Sequence, residues 1–313
     1  TSAPPSRARR WIRRVAAAGS LAAGCALACF LFHVYHAETV IEPSSIPIRP
    51  VPAGAMIRVL AYNVHLLPGL ADTVAARLGE AAFRAGRIGE IAAGYDVVGL
   101  CEVFDTDRRA ELIEAVEHAA PGRFAMVRAP KPSGFVTGSC LLLLSRLPVE
   151  EWHLHTFEHA ARVSDFGLRA DGLAAKGVLH TRLRHGSGVP IDCFVTHLDS
   201  KSASARERQI EAVARFVAEH STPGAPVLLL GDFNVNADPP PIPAHADPTT
   251  PYLQMIRTLH YSGRGFIDAW TALEDGPGIT NDPTGRKKGT RKDYVFVAPG
   301  EGSFAPTAIR VLP

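Results

Sequence analysis

The sequence has few cysteines, and none is placed for cross-linking or metal binding. It contains five cysteines in 313 residues. Cys25 and Cys29 lie in an apolar segment, and Cys101, Cys140 and Cys193 lie in strand-like runs without the close spacing of a thiolate metal site. This pattern argues against a disulfide-stapled scaffold. We expect these side chains to behave as small, buried hydrophobic groups.

The body of the chain also lacks an excess of positive charge. The formal net charge is +2, from 33 basic and 31 acidic residues. Five of the basic residues cluster at the start, namely Arg7, Arg9, Arg10, Arg13 and Arg14, so that the other 28 are outnumbered by the acids. A mildly acidic body lacks the basic field of a protein that binds long nucleic acid non-specifically. We therefore predict no nucleic-acid partner, and no specific protein partner is indicated.

Only one stretch is apolar for long enough to span a membrane. Val15 to Phe32 contains a single ordinary polar residue, Ser20. At helical rise this run covers about 27 Å, close to the ~30 Å hydrocarbon core. The preceding arginines favour an N-terminus inside the cell and a body outside the cytoplasm. The protein is therefore predicted to be membrane-anchored, or secreted if this segment is a cleaved signal peptide.

These features divide the chain into four predicted segments. A basic N-terminal segment covers residues 1–14, and the signal-anchor or signal-peptide helix covers 15–36. A proline-rich linker covers 37–55, because four prolines there favour an extended chain. A single globular domain covers 56–313.

From Met56 onward, strand and helix patterns alternate. Strands are predicted over Met56–His65, Asp96–Val103, Ser139–Ser145, Trp152–Phe157, Lys176–Arg184, Ile191–His197, Val227–Leu230, Asp293–Val297 and Ala308–Leu312. Helices are predicted over Thr73–Ala93 with Asp72 as N-cap, Arg108–Ala119, Ala203–His220 with Ser202 as N-cap, and Tyr252–Leu259. The HGSG hairpin signal at 185–188 and the smaller number of helices favour α/β layers around mixed sheets.

Polar side chains stand at the ends of four of these apolar strands. They are Asn63 on the first, Glu102 on the second, His197 and Asp199 on the hairpin strand, and Asp232 and Asn234 in LLLGDFNVN. In a layered sheet such ends can converge on one cleft, where substrates usually bind. Each residue alone has an ordinary explanation as a turn former, a solvated acid or a strand cap. The whole set in this context predicts a functional site.

The residue types indicate the chemistry of that site. Carboxylate and amide oxygens without cysteine suit a hard cation such as Mg²⁺, which Glu102 and Asn63 could hold. Such an ion would stabilise negative charge developing on a phosphate oxygen. His197 and Asn234 could donate hydrogen bonds to the same phosphoryl group, and Asp232 could position an attacking water.

Five stretches resemble the endonuclease/exonuclease/phosphatase superfamily. They are LAYNVHLLP, VVGLCEVFD, FVTHLDS, LLLGDFNVNAD and KDYVFV, in the family order between Met56 and Val297. The resemblance implies a four-layer αββα sandwich, in which two mixed β-sheets are flanked by helices, preceded here by the N-terminal membrane helix. It also implies cleavage of phosphate esters with Mg²⁺, or with Mn²⁺ or Co²⁺ in its place. Within the family pattern, Asn63 and Glu102 match metal-site positions, His197 the phosphate-contacting His, Asp232 and Asn234 catalytic positions, and Asp293 an orienting acid.

Within that superfamily the chain is most similar to the neutral and bacterial sphingomyelinases. LAYNVHLLPG resembles their first-strand motif, and SGFVTGSCLLLLSRLPV at 133–149 resembles their approach to a buried strand. DGLAAKGV at 171–178 matches the family's Asp and Lys five residues apart, which implies that Asp171 and Lys176 shape the substrate site. A membrane helix fits an enzyme with a lipid substrate.

One family motif does not occur. The resemblance implies a Ser-Asp-His motif on the last strand, whose His is the general base or acid. No Asp-His pair follows Tyr294, and no His follows His260. We expect the sequence to be a C-terminally truncated fragment, and the alternative is a protein that lacks this group.

Three functions therefore stay open. The favoured one is a metal-dependent phosphodiesterase acting on sphingomyelin or a related phospholipid. The second is a nuclease or a soluble phosphoesterase of the same superfamily. The third is an inactive binding module that kept the fold without the terminal base.

Overall fold

A computed structural model describes residues 7–38, 54–67, 80–167, 170–186, 188–237, 250–281, 289–302 and 304–312. The helices are α1 (Arg7–Tyr35), α2 (Ala81–Ala92), α3 (Thr106–Ala119), α4 (Val163–Phe166), α5 (Ala203–His220), α6 (Pro251–His260) and α7 (Ala269–Leu273), with a 3₁₀ turn at Asp171–Leu173. The strands are β1 (Val59–Leu66), β2 (Val97–Val103), β3 (Ala125–Arg128), β4 (Leu142–Ser145), β5 (Val149–Thr156), β6 (Gly177–Arg184), β7 (Pro190–His197), β8 (Val227–Asp232), β9 (Ile267–Asp268) and β10 (Asp293–Ala298).

The strands form two mixed sheets. The first has the order β1-β2-β4-β3, in which β1 and β2 are parallel and the other pairs are antiparallel. The second has the order β5-β6-β7-β8-β10-β9, in which only β7 and β8 are parallel. The prediction of mixed sheets is confirmed.

Three apolar clusters hold the layers together. One lies between the sheets and joins residues such as Cys101 and Leu143 of the first sheet to Val195 and Leu230 of the second. A second packs α2 and α3 on the first sheet, and a third packs α5 and α6 on the second. The order of layers is therefore helix, sheet, sheet, helix. Gly99 marks how closely the sheets approach, because a Cβ there would lie 2.9 Å from Val195 Cγ2.

Most predicted elements are present with shifted ends. Helix α5 has its predicted limits, and Ser202 Oγ accepts a hydrogen bond from Ala205 N as its N-cap. Helix α3 begins at Thr106, two residues before the prediction, because the Asp105 side chain accepts from the amides of Asp107 and Arg108. Helix α2 covers the second half of its prediction, and Asp72 with residues 73–79 lies outside the described residues.

One predicted strand is absent from the described residues, and two observed strands were not predicted. Residues 308–312 have no regular secondary structure, and Leu312 instead packs against the cluster between the first sheet and its helices. An apolar run alone predicts burial, whereas a strand also requires a neighbour with free backbone groups. Strands β3 and β9 were not predicted, because four-residue and two-residue segments give too little alternation to recognise.

A helix occupies the position of the predicted membrane anchor. Its C-terminal end contacts the body, since His33 Nε2 lies 2.8 Å from Val136 O and Ser133 Oγ donates to Tyr35 O at 2.8 Å. In the described part of the chain, no helix combines the length and the apolar character needed to cross a membrane, so the predicted span finds no support. Most of the predicted linker, residues 39–53, lies outside the described residues.

Gly231→Ala tests the close approach of β7 and β8 beside the strand ends. Gly231 has a φ of 141°, and a Cβ there would lie 1.8 Å from Thr196 O, which is backbone that cannot easily move. We expect the free energy of unfolding to fall by about 2–5 kcal/mol, measured by urea denaturation. Gly265→Ala is the control, because its Cβ would meet no atom within 4 Å. Equal, small effects of both changes would contradict this packing.

Candidate active site

The packing of the sheets brings five strand ends to one place. Strands β1 and β2 are parallel, as are β7 and β8, so each pair ends at one edge of its sheet. Strand β10 runs antiparallel to β8, and its first residue, Asp293, is the register partner of Asp232. His197 is the partner of Asp232 on the other side. Because β1 also contacts β8 and β10 across the sandwich, the ends of both sheets meet.

Asn63 joins the two sheets through hydrogen bonds. Its Nδ2 donates to Glu102 Oε1 at 2.9 Å and to Asp232 Oδ2 at 3.0 Å. Its Oδ1 accepts from the backbone amide of His65 at 3.2 Å. One amide side chain therefore holds a carboxylate from each sheet.

Glu102 is an ionised carboxylate at the centre of this group. Burial pushes its pKa up, but the hydrogen bond from His65 and the hydrogen bond from the Asn63 amide outweigh burial and lower the pKa to about 2. His65 Nδ1 lies 2.7 Å from Glu102 Oε2. His65 was not predicted to belong to the site, although it lies two residues after Asn63 in the first-strand motif.

The pKa of Asp293 is raised, whereas that of Glu102 is lowered. Burial, together with the negative charges of Asp232 and Glu102, raises its pKa to about 8, although a hydrogen bond with Thr280 opposes the rise. Its Oδ1 is buried and has no hydrogen-bond partner among the described residues. Three carboxylates thus converge with one oxygen unsatisfied. This oxygen-rich, negatively charged donor set fits a hard divalent cation.

A second group of side chains surrounds His197. Lys176 Nζ lies 3.0 Å from His197 Nε2, donates to Leu198 O at 2.7 Å and pairs with Asp171 Oδ2 at 3.0 Å. Asn234 Nδ2 lies 3.3 Å from the same His197 nitrogen and donates to Leu198 O at 3.0 Å. Lysine has no acceptor, so His197 Nε2 accepts and the ring is neutral with its proton on Nδ1.

The charges around His197 explain this neutral state. Burial and the Lys176 ammonium lower the pKa of His197, while Glu102, Asp232 and Asp171 pull it upward less strongly. The ring nitrogen Nε2 lies 3.7 Å from Glu102 Oε1 and 3.9 Å from Asp232 Oδ2. The imidazole therefore stands between the cationic Lys176 and the acidic centre.

The backbone at this site is strained. Three non-glycine residues of the site have positive φ, with values of 49° at His65, 60° at Glu102 and 51° at Asn234. Such conformations cost about 1–3 kcal/mol each and persist only where the surrounding structure enforces them. Here they turn polar side chains from strand ends into the shared site.

All eight predicted site residues belong to this connected network. Asn63, Glu102, Asp232, Asn234 and Asp293 line one cavity, and Lys176 and His197 are almost fully buried beside them. Asp171 joins the network through Lys176. Their individual roles stay predictions. Asp199, which also ends a strand, instead accepts from the amides of Ala161, Lys201 and Ser202 and so orders the turn before α5.

Comparisons with known proteins agree with this architecture. The profile of the Endonuclease/Exonuclease/phosphatase family matches residues 60–308. Sphingomyelinase C of Leptospira interrogans is 26% identical over 215 residues, which is 61% of this chain and 36% of that protein. The match thus spans about a third of the length of that relative.

Two solved structures share the fold. A hairpin-deletion mutant of beta toxin from Staphylococcus aureus matches with a TM-score of 0.61 at 19% identity, covering 82% of this chain and 92% of the toxin chain. A beta toxin mutant from the same organism with bound magnesium ions matches with a TM-score of 0.55 at 20% identity, covering 77% and 83%.

Asp293→Asn tests the raised pKa of the Asp293 carboxyl. In the metal-free protein the pKa of Asp293 is raised from 3.8 to about 8, so folding favours the protonated form. The free energy of unfolding should therefore fall as pH rises through this interval, because only the unfolded chain releases the proton. We expect the change to asparagine to flatten that fall. An unchanged pH dependence of urea-induced unfolding would contradict the raised pKa.

Lys176→Met tests the charge beside His197. Removing the ammonium stabilises the imidazolium, so we expect the pKa of His197 to rise, as followed by NMR titration of the ring. Asp171→Asn removes a negative charge and should lower the same pKa. If both changes shifted the His197 pKa in the same direction, this assignment of the charges would be wrong.

Proposed function

This chain belongs to the endonuclease/exonuclease/phosphatase family, and on that premise we propose that it is a Mg²⁺-dependent phosphodiesterase that hydrolyses sphingomyelin or a related phospholipid. The observation that carries the proposal is the bridge from Asn63 to Glu102 and Asp232, with His197 and Asn234 beside it. It joins acid, amide and imidazole groups from both sheets within one site. These are the groups that metal-assisted attack of water on a phosphate ester requires.

Glu102 and Asn63 are the residues that we propose to hold the ion. Glu102 is ionised, and the pKa of Asp293 is raised by burial and by the negative charges of Asp232 and Glu102, which supports a cation site beside these acids. A bound Mg²⁺ would draw charge from a phosphoryl oxygen and stabilise the transition state. Mn²⁺ or Co²⁺ would be the alternatives to Mg²⁺ for this site.

The other residues act on the ester and the water. Asp232 Oδ2 accepts a hydrogen bond from Asn63 Nδ2, and Asp232 Oδ1 accepts one from the backbone amide of Asn234. The carboxylate is therefore oriented to position a water. Asn234 Nδ2 can donate to a phosphoryl oxygen. The negative charge of a bound phosphate would raise the pKa of His197, which lets Nε2 donate as well. Asp293 lies beside Asp232 and helps to orient it.

Asp171 and Lys176 are proposed to shape the site through His197. Lys176 has only 5% of its surface exposed, and its ammonium already contacts His197, Leu198 and Asp171. We therefore assign the pair a positioning role at the substrate side of the pocket rather than a direct contact.

The lipid substrate rests on the likeness to Sphingomyelinase C of Leptospira interrogans. A phospholipid substrate places the enzyme at a membrane surface. A location outside the cytoplasm, either anchored or secreted, fits such a substrate.

Glu102→Gln tests the metal role, because it removes charge and keeps the side-chain volume. We expect Mg²⁺-stimulated release of phosphocholine from sphingomyelin vesicles to fall about 10²-fold or more, and hydrolysis of a soluble bis-aryl phosphate to fall in parallel. Glu114→Gln, an exposed acid on α3, is the matched control. Near-normal turnover in Glu102→Gln would remove Glu102 from the metal site. If the unsubstituted protein hydrolyses the soluble ester but not sphingomyelin in vesicles, the proposed lipid substrate is wrong and the phosphodiesterase activity still stands.

A further inference from the structure

A second cluster of ligand-type side chains lies on the helix-facing side of the six-stranded sheet. It consists of His153 on β5, His180 on β6 and His220 at the end of α5. His153 and His180 are register partners on neighbouring strands. Each of the three rings offers one nitrogen, and these nitrogens all lie within 4.8 Å of one another. We call these three residues the histidine cluster.

His180 has an unusual environment for a histidine. It is fully buried, and its Nε2 lies 2.9 Å from Asp192 Oδ1. Its other nitrogen, Nδ1, is also buried and has no hydrogen-bond partner among the described residues. A buried polar atom without a partner costs about 1–3 kcal/mol. Because Nε2 is engaged by Asp192, Nδ1 is the nitrogen that His180 can offer to the cluster.

We propose that the histidine cluster binds a first-row transition-metal ion of the Zn²⁺ class, separate from the hydrolytic site. Three imidazole nitrogens form a ligand set that suits Zn²⁺, Ni²⁺ or Cu²⁺ better than Mg²⁺. The fourth position would be taken by water. Binding gives the orphaned His180 Nδ1 a partner.

Asp192 completes the arrangement behind the ligands. A histidine that binds metal usually donates a hydrogen bond from its second ring nitrogen to a carboxylate, which fixes the ring orientation and the tautomer. Asp192 does this for His180, and it is itself held by Arg182 Nε at 3.0 Å. Arg182 Nη2 also donates to His220 O at 2.9 Å, so the same arginine orients the backbone of a second ligand.

The spacing and exposure of the histidine cluster allow an ion to reach the three rings and to be coordinated by them. Nitrogens bound tetrahedrally to Zn²⁺ at about 2.0–2.1 Å lie about 3.4 Å apart, so any pair near the 4.8 Å upper limit must move closer on binding. His153 is exposed, and its ring centroid lies 4.5 Å from that of His220, whereas His180 is buried. The ion would tie the edge strand β5 to the end of α5. His180 lies four residues from Lys176 along the chain, about 13 Å in an extended strand, so the two sites are distinct.

The test is a titration of the metal-free full chain with Zn²⁺ in excess Mg²⁺, followed by calorimetry and by the melting temperature. Co²⁺ in place of Zn²⁺ gives a visible absorption spectrum that reports imidazole ligation. We expect one tightly bound ion per chain and a higher melting temperature. His153→Ala should weaken binding at least about 100-fold, and because His153 is exposed it should leave the metal-free melting temperature unchanged.

Two further variants separate this site from the hydrolytic one. Glu102→Gln should keep the Zn²⁺ site, since it alters only the proposed Mg²⁺ site. His118→Ala, an exposed histidine at the end of α3, should also bind Zn²⁺ normally. Absence of tight Zn²⁺ binding, binding that survives His153→Ala, or binding that Glu102→Gln abolishes would each overturn the proposal. None of these outcomes depends on phosphodiesterase activity.

Discussion

The face-to-face packing of the two sheets is the constraint on which the rest of the structure depends. An apolar layer holds β1 and β2 against β7 and β8, and Gly99 permits the close approach. With the sheets locked in this relation, the strand ends have no freedom to separate. Asn63 can then reach carboxylates of both sheets with a single amide. The apolar core thus sets the geometry of a polar site that it does not itself contain.

The meeting of the strand ends also shifts the pKa values of their acids in opposite directions. Glu102 stays ionised because His65 and Asn63 stabilise its charge, whereas Asp293, the register partner of Asp232 on the neighbouring strand, is driven toward the neutral form. Pairs of acids with pKa values pushed apart are typical of sites that handle protons or cations. Positive φ at His65, Glu102 and Asn234 shows that the chain accepts local strain to keep this arrangement.

Sequence patterns predicted the fold class and the residues that meet, because strands that end in polar groups are recognisable one at a time. They could not separate function from capping, since Asp199 also ends a strand yet only orders a turn. His65 was missed because its contact with Glu102 depends on its own left-handed conformation, at the irregularity in β1 between Asn63 and Leu66. The histidine cluster was missed for another reason. Its members are 27 and 40 residues apart in sequence, and only strand register and the end of α5 bring them together.

We propose that these strand ends form one site for a divalent cation and a phosphoryl group. Anomalous diffraction from crystals grown with Mn²⁺ and inorganic phosphate tests it most directly. We expect a manganese peak in bonding contact with the Glu102 carboxylate, and a phosphate between that ion and the side chains of His197 and Asn234. A protein that binds Mn²⁺ only away from Glu102, or that holds phosphate elsewhere, would contradict it.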